Sequence, residues 1–105
     1  MVSASPTSEP ADRLAAAVRA VPGVADLHPG MFGEVGTYLP GRRVPGIRIE
    51  DGAVQVHISV VFGAAVRDTG AAVRAAIAAQ LPGAQAIDVI VEDVVRAQPP
   101  KRSLR

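Results

Sequence analysis

The nine residues from Val54 to Phe62 constrain this chain more than any other stretch. Val54, Val56, Ile58, Val60 and Phe62 alternate with Gln55, His57, Ser59 and Val61. Such a period of two places the two sets on opposite faces of a β-strand. Upstream lie Ile47-Arg48-Ile49 and then Asp51-Gly52, a dipeptide suited to the two positive φ angles of a type I′ hairpin turn. A hairpin with one apolar face needs a second layer to bury it, so helices with a matching stripe are required elsewhere.

Two stretches supply that layer. Leu14, Val18 and Val21 recur at i, i+4 and i+7, with Ser8 placed to cap, Pro10 in the first turn and Asp12 near the positive end of the helix dipole. Pro22-Gly23 stops this helix. A second helix is expected over Val66 to Leu81, with Val66, Val73, Ile77 and Leu81 on one face and Arg67 and Arg74 off it. Gly70 lies inside it at a cost of ~1 kcal/mol relative to Ala, and Pro82-Gly83 ends it. The final strand, Ile87 to Val95, puts Ile87, Val89 and Val91 on one side and Asp88, Ile90 and Glu92 on the other. Because it follows a helix, it is expected to run parallel to Val54–Phe62 through a crossover.

The remainder is less regular. Val24 to Leu27 reads as a short strand broken by His28-Pro29-Gly30, and Val35 to Leu39 as another within a segment interrupted by Gly33, Gly36, Pro40 and Gly41. The expected fold is α+β, a two-layer sandwich with a small mixed sheet of three to four strands and two helices on one face. It occupies residues 10–95, between a disordered segment 1–9 and a basic, flexible tail 96–105.

At 105 residues the chain holds one domain. It has no cysteine, which removes disulfides, thiolate metal sites and thiol nucleophiles. Its three aromatic residues, Phe32, Tyr38 and Phe62, leave the core to aliphatic side chains and offer few platforms for stacking bases. No apolar run approaches the ~20 residues of a membrane span, and the first residues lack the pattern of a signal peptide. A cytoplasmic protein is expected. Residues 96–105 carry four bases and no acid, for +4; the other 95 carry seven bases and ten acids, for −3.

Several patterns resemble those of the alkaline shock protein family, the Gls-type envelope stress response proteins. The matching pieces are Val21-Pro22-Gly23-Val24, Gly46-Ile47-Arg48-Ile49, Val54 to Phe62-Gly63, Val73 to Leu81, and Ile87-Asp88-Val89-Ile90-Val91-Glu92-Asp93-Val94. The resemblance covers about residues 11–95. The chain departs from the family in having Ser, Thr and Pro where an extra apolar strand usually precedes the first helix. What the resemblance implies is a cytoplasmic, non-enzymatic protein of Gram-positive bacteria, self-assembling and held near the membrane by a separate small anchoring partner.

The residues themselves assemble no reaction centre. His28 and His57 are the only histidines, and no metal-ligand spacing accompanies them. Glu50-Asp51 and Glu92-Asp93 are paired acids, but neighbours in a strand point to opposite faces. Ser59 shares a face with His57 without a signalled orienting acid or oxyanion hole. Gly30-Met31-Phe32-Gly33 has the GxxG form of a nucleic-acid clamp but no basic residue. No catalytic residue, metal or cofactor is assigned.

Two binding surfaces remain. One is the sheet face away from the helices, where His57, Val61, Ile90 and Val94 are expected to form a protein-interaction or self-association patch. The competing expectation is that a strand or loop from Met31–Pro45 covers it. The other is cationic: Arg42 and Arg43, with Lys101 and Arg102 of the tail, as an anion site for lipid or nucleic acid. The leading expectation is thus a non-enzymatic scaffold or adaptor that binds proteins, with a lipid- or nucleic-acid-binding module as the alternative.

Overall fold

The Asp51-Gly52 turn forms as its chemistry requires, with φ of 50° at Asp51 and 80° at Gly52, joining β4 (Ile47–Glu50) to β5 (Ala53–Val61) in an antiparallel pair. The structure is a computed structural model that describes residues 9–96. Its remaining elements are α1 (Pro10–Arg19), β1 (Val24–Leu27), β2 (Gly36–Leu39), β3 (Arg42–Pro45), α2 (Val66–Gln80) and β6 (Ala86–Val95).

β5 is the spine of the sheet. Along one edge it pairs antiparallel with β4 through its first half and with β1 through its second; along the other it pairs parallel with β6. The parallel pairing expected from the intervening helix is present. One face of this sheet is sealed. Val54, Val56, Ile58 and Val60 of β5 and Ile47 of β4 meet Ala11, Leu14, Ala15 and Val18 of α1 and Val73 and Ile77 of α2 in a single buried cluster. α1 begins with Pro10 at its first turn, where the missing N–H costs nothing, and Glu9 at its N-cap makes no side-chain capping bond. Ser8, the expected cap, lies outside the described residues, as does the tail beyond Arg96.

Three side chains depart from their expected sides. Val66, at the start of α2, is exposed, and Thr69 takes a buried place on that helix instead. Phe62 is 59% exposed. It follows the last residue of β5 and lies under the Arg96 guanidinium, 4.5 Å from the ring centroid. Val94 was expected opposite the helices. The β5–β6 register slips between Ile58 and Ser59, so that Ser59 pairs with Asp93, Val60 with Val94 and Val61 with Val95. The extra residue at Glu92 reverses the phase of the strand, as a bulge does. Val94 therefore registers with inward-facing Val60, and Val95 takes the outward place beside Val61.

The segment 28–46 forms more structure than its breakers suggested. β2 and β3 pair as a separate hairpin from Gly36↔Pro45 to Leu39↔Arg42, so Arg42 and Arg43 belong to a strand rather than a solvated turn. The hairpin closes over the β4 edge: Gly46 N–H donates to the Val35 carbonyl at 2.9 Å, and the Thr37 hydroxyl donates to the Ile47 carbonyl.

Candidate functional site

The outward face of β5 and β6 is where the sequence-derived interaction residues gather. His57 and Ile90 register side by side on adjacent strands, and Val61 and Val95 do so four residue pairs and a bulge further on. No helix covers this face, because α1 and α2 both pack on the other. The competing expectation, that residues 31–45 shield it, holds at the β4 side, where Arg48 reaches across to donate to the Glu34 carbonyl at 2.9 Å. On β5 itself His57 is largely buried and Ser59 buried. Val61, Ile90 and Val95 remain half-buried.

His57 is the polar centre of the face. Its Nδ1 stands 2.5 Å from Glu92 Oε2, and the ring is largely buried. The bulge explains why Glu92 can do this, since the slip lets its carboxylate turn across to β5. His57 Nε2 is buried and has no hydrogen-bond partner among the described residues. An orphaned ring nitrogen in a partly buried position is costly, about 1–3 kcal/mol for an unsatisfied polar group. The two histidines are cross-strand neighbours through the His28 N–H, which donates to the His57 carbonyl at 2.8 Å. The His28 ring turns to its own loop, however, accepting from the Gly30 N–H at 3.0 Å. Among the described residues, no three His, Cys, Asp or Glu side chains converge where a metal ion could sit.

The other polar candidates are occupied in local structure. Ser59 shares the His57 face but makes no bond to Nε2, the atom a serine base would use. Asp51 sits in the hairpin turn, and the Asp93 carboxylate accepts from the neighbouring Val94 N–H at 2.9 Å. Arg42 makes a two-pronged bond to Asp12, at 2.8 and 2.6 Å. That bond holds the Asp12 carboxyl below its ordinary value and raises the guanidinium, with burial opposing both. Arg43 donates to the carbonyls of Gly33 and Val35 and lies over Tyr38, 5.3 Å from the ring centroid. Both arginines of the expected anion site thus serve to pin the hairpin. Lys101 and Arg102 lie outside the described residues.

Sequence reasoning missed the Glu92 contact. The paired acids were visible, but a bulge depends on how two distant strands meet, and no local signal announces it.

No family model matches the chain, and no curated protein matches it. Solved structures do. The copper form of the MamM CTD superposes with a TM-score of 0.53 at 16% identity, covering 92% of this chain and 93% of that one. Its zinc form, a variant in which an aspartate is replaced by asparagine, gives 0.51 at 18% identity, over 90% and 89%. A manganese form with a glutamate-to-aspartate change gives 0.52 at 15%, over 88% and 99%. The fold is shared with the MamM CTD. At these identities the likeness is one of architecture alone, and these comparisons contain no counterpart to the alkaline shock protein resemblance. No helix among the described residues is long and apolar enough to cross a membrane.

Proposed function

We propose that this domain is a non-catalytic adaptor that binds protein, a second copy of itself included, through the outward face of β5 and β6. The observation that carries this reading is the apolar strip of half-buried Val61, Ile90 and Val95 on the sheet face against which neither helix packs. An arriving surface would cover these aliphatic side chains. Burying apolar area is favourable by roughly 25 cal/mol per Å².

A role in the envelope stress response, with a separate membrane anchor as partner, is the finer form of this proposal. It rests on the sequence resemblance. The lipid- or nucleic-acid-binding alternative is weakened by the engagement of Arg42 and Arg43 within the fold. The copper, zinc and manganese forms belong to the MamM CTD. In this chain His57 and Glu92 supply two donors where a structural cation site takes about four, so contact rather than metal is the reading favoured here.

The test is the double variant Val61→Asp/Ile90→Asp, followed by light scattering over a range of protein and salt concentrations. The wild-type mass should rise with concentration and hold as salt is raised, since an apolar contact is not screened as phosphate binding is. The variant should remain a monomer with unchanged secondary structure. An unaltered mass in the variant would remove the proposal.

A further inference from the structure

β6 has the composition of an inner strand and the position of an outer one. Ile87, Val89, Ile90 and Val91 make it apolar on both faces, as strands covered on both faces are. From Ala86 to Val95 it carries neither Lys nor Pro, two residues that blunt natural edges. Burial shows what is missing. Val56 and Ile58 of β5, with a strand on either side, are 0% exposed. Their register partners Val89 and Val91 share the same face and yet stay half-buried.

The backbone groups of β6 have a definite direction. His57 N–H donates to the Gly46 carbonyl at 2.9 Å and Val61 N–H to the Gly23 carbonyl at 2.8 Å. The odd residues of β5 thus turn to the β4–β1 edge, and Val54, Val56 and Ile58 turn to β6. Ile87, Val89 and Val91 register against those three in a parallel strand. Sharing their face and direction, they turn the same way, which is away from β5 and onto the free edge. The Ile87 carbonyl agrees, since it accepts from the Arg74 guanidinium. Beyond the bulge, Val94 N–H is taken by the Asp93 carboxylate. Both ends of the edge are therefore engaged. Between them the N–H and C=O of Val89 and Val91 stand open, with no side-chain partner among the described residues.

Two donors and two acceptors in this spacing match the same stretch of a second copy run antiparallel. About a two-fold axis at Ile90, Val89 of each copy exchanges both bonds with Val91 of the other, and Ile90 faces Ile90. Asp88 comes opposite Glu92 of the second copy, but Glu92 turns from the edge to His57, which limits their repulsion. We infer that two copies pair through Val89–Val91 of β6, joining their sheets into one. The contact is isologous and closes at a dimer. It uses the edge of the sheet rather than its outer face, and holds whether or not that face also binds.

Val89→Pro tests it, because it removes an edge N–H and no bond to β5; proline is accepted in strands at such positions. By symmetry two of the four backbone bonds are lost. Sedimentation velocity should show self-association weakened about thirtyfold, with the far-UV circular dichroism unchanged. Ile90→Cys gives a second reading that does not depend on how β6 takes proline. The chain has no other cysteine, and facing residues at the axis, about 4.5 Å apart between Cα atoms, are within disulfide reach. Mild oxidation should link two copies through Ile90→Cys, whereas Val61→Cys, one strand in from the edge, should give no link. A wild-type chain that stays monomeric at every concentration would overturn the inference, as would a missing Ile90→Cys link or full association of folded Val89→Pro. Val61→Asp alone touches the outer face and not the edge. Association lost in Val61→Asp and kept in Val89→Pro would leave the sheet-face proposal standing and this one refuted; the opposite pattern would do the reverse.

Discussion

At the residue scale, Gly46 shows how one missing side chain lets three elements meet. It has φ of 82°, and a Cβ built on it would lie 2.9 Å from Leu27 Cβ, 3.0 Å from the His57 carbonyl oxygen and 3.1 Å from the His28 nitrogen. Two of those neighbours are backbone and cannot swing aside. Gly46→Ala should therefore destabilise the fold by about 3 kcal/mol, combining left-handed strain with overpacking, measured as a shift of the denaturant midpoint. The Asp12–Arg42 pair makes a different prediction. Its hydrogen bonds place the folded carboxyl below the ordinary 3.8, so its contribution is present above that value and fades as pH falls through the lower, folded one. Below about pH 4 the wild-type melting temperature should drop, and Arg42→Gln should make that acid limb shallower. An unchanged acid limb would show that the pair contributes nothing there. Both effects depend on residues far apart in sequence, Asp12 with Arg42 and Gly46 with His57, and neither was legible from local pattern.

At the element scale, β6 is the strand whose handling matters most. It is long, it lies at a sheet edge, and it pairs only with β5 among the described residues. Such edges recruit other strands unless they are blunted. Here the blunting is visible. The Arg74 guanidinium donates to the Ile87 carbonyl near the start of the strand. Near its end the Asp93 carboxylate takes the Val94 N–H, and between them the bulge at Glu92 interrupts the ladder. Replacing Arg74 and Asp93 together by Ala should leave the monomer folded but raise thioflavin-positive aggregation on prolonged incubation; equal aggregation in the two proteins would refute this role. The strand itself was evident from Ile87, Val89 and Val91. Its guard was not, because both protecting side chains act on backbone whose orientation follows from pairing with β5. α2 tells a similar story: its period was readable, but Val66 is exposed and Thr69 is buried, where its side chain stands against Gly23.

At the scale of the whole molecule, the layered arrangement explains why one side of the sheet can carry function. Both helices lie on one face, so substitutions on the other act on what the molecule meets. Val61→Asp/Ile90→Asp should thus spare the thermal midpoint while abolishing association, a separation that a core variant does not produce. Alternation along β5 and the stripes of α1 and α2 determined by themselves that there would be two layers, an antiparallel hairpin at Asp51-Gly52 and a parallel return strand, because burial of apolar side chains is periodic and local in sequence. Tertiary structure alone decided the rest. It placed Val95 rather than Val94 on the outer face, brought Glu92 to His57, spent Arg42 and Arg43 on the β2–β3 hairpin, and left Met31 and Phe32 outside a core they could have joined. Those outcomes depend on register and on close approach between segments distant in the chain, and neither quantity is written in any single stretch of residues.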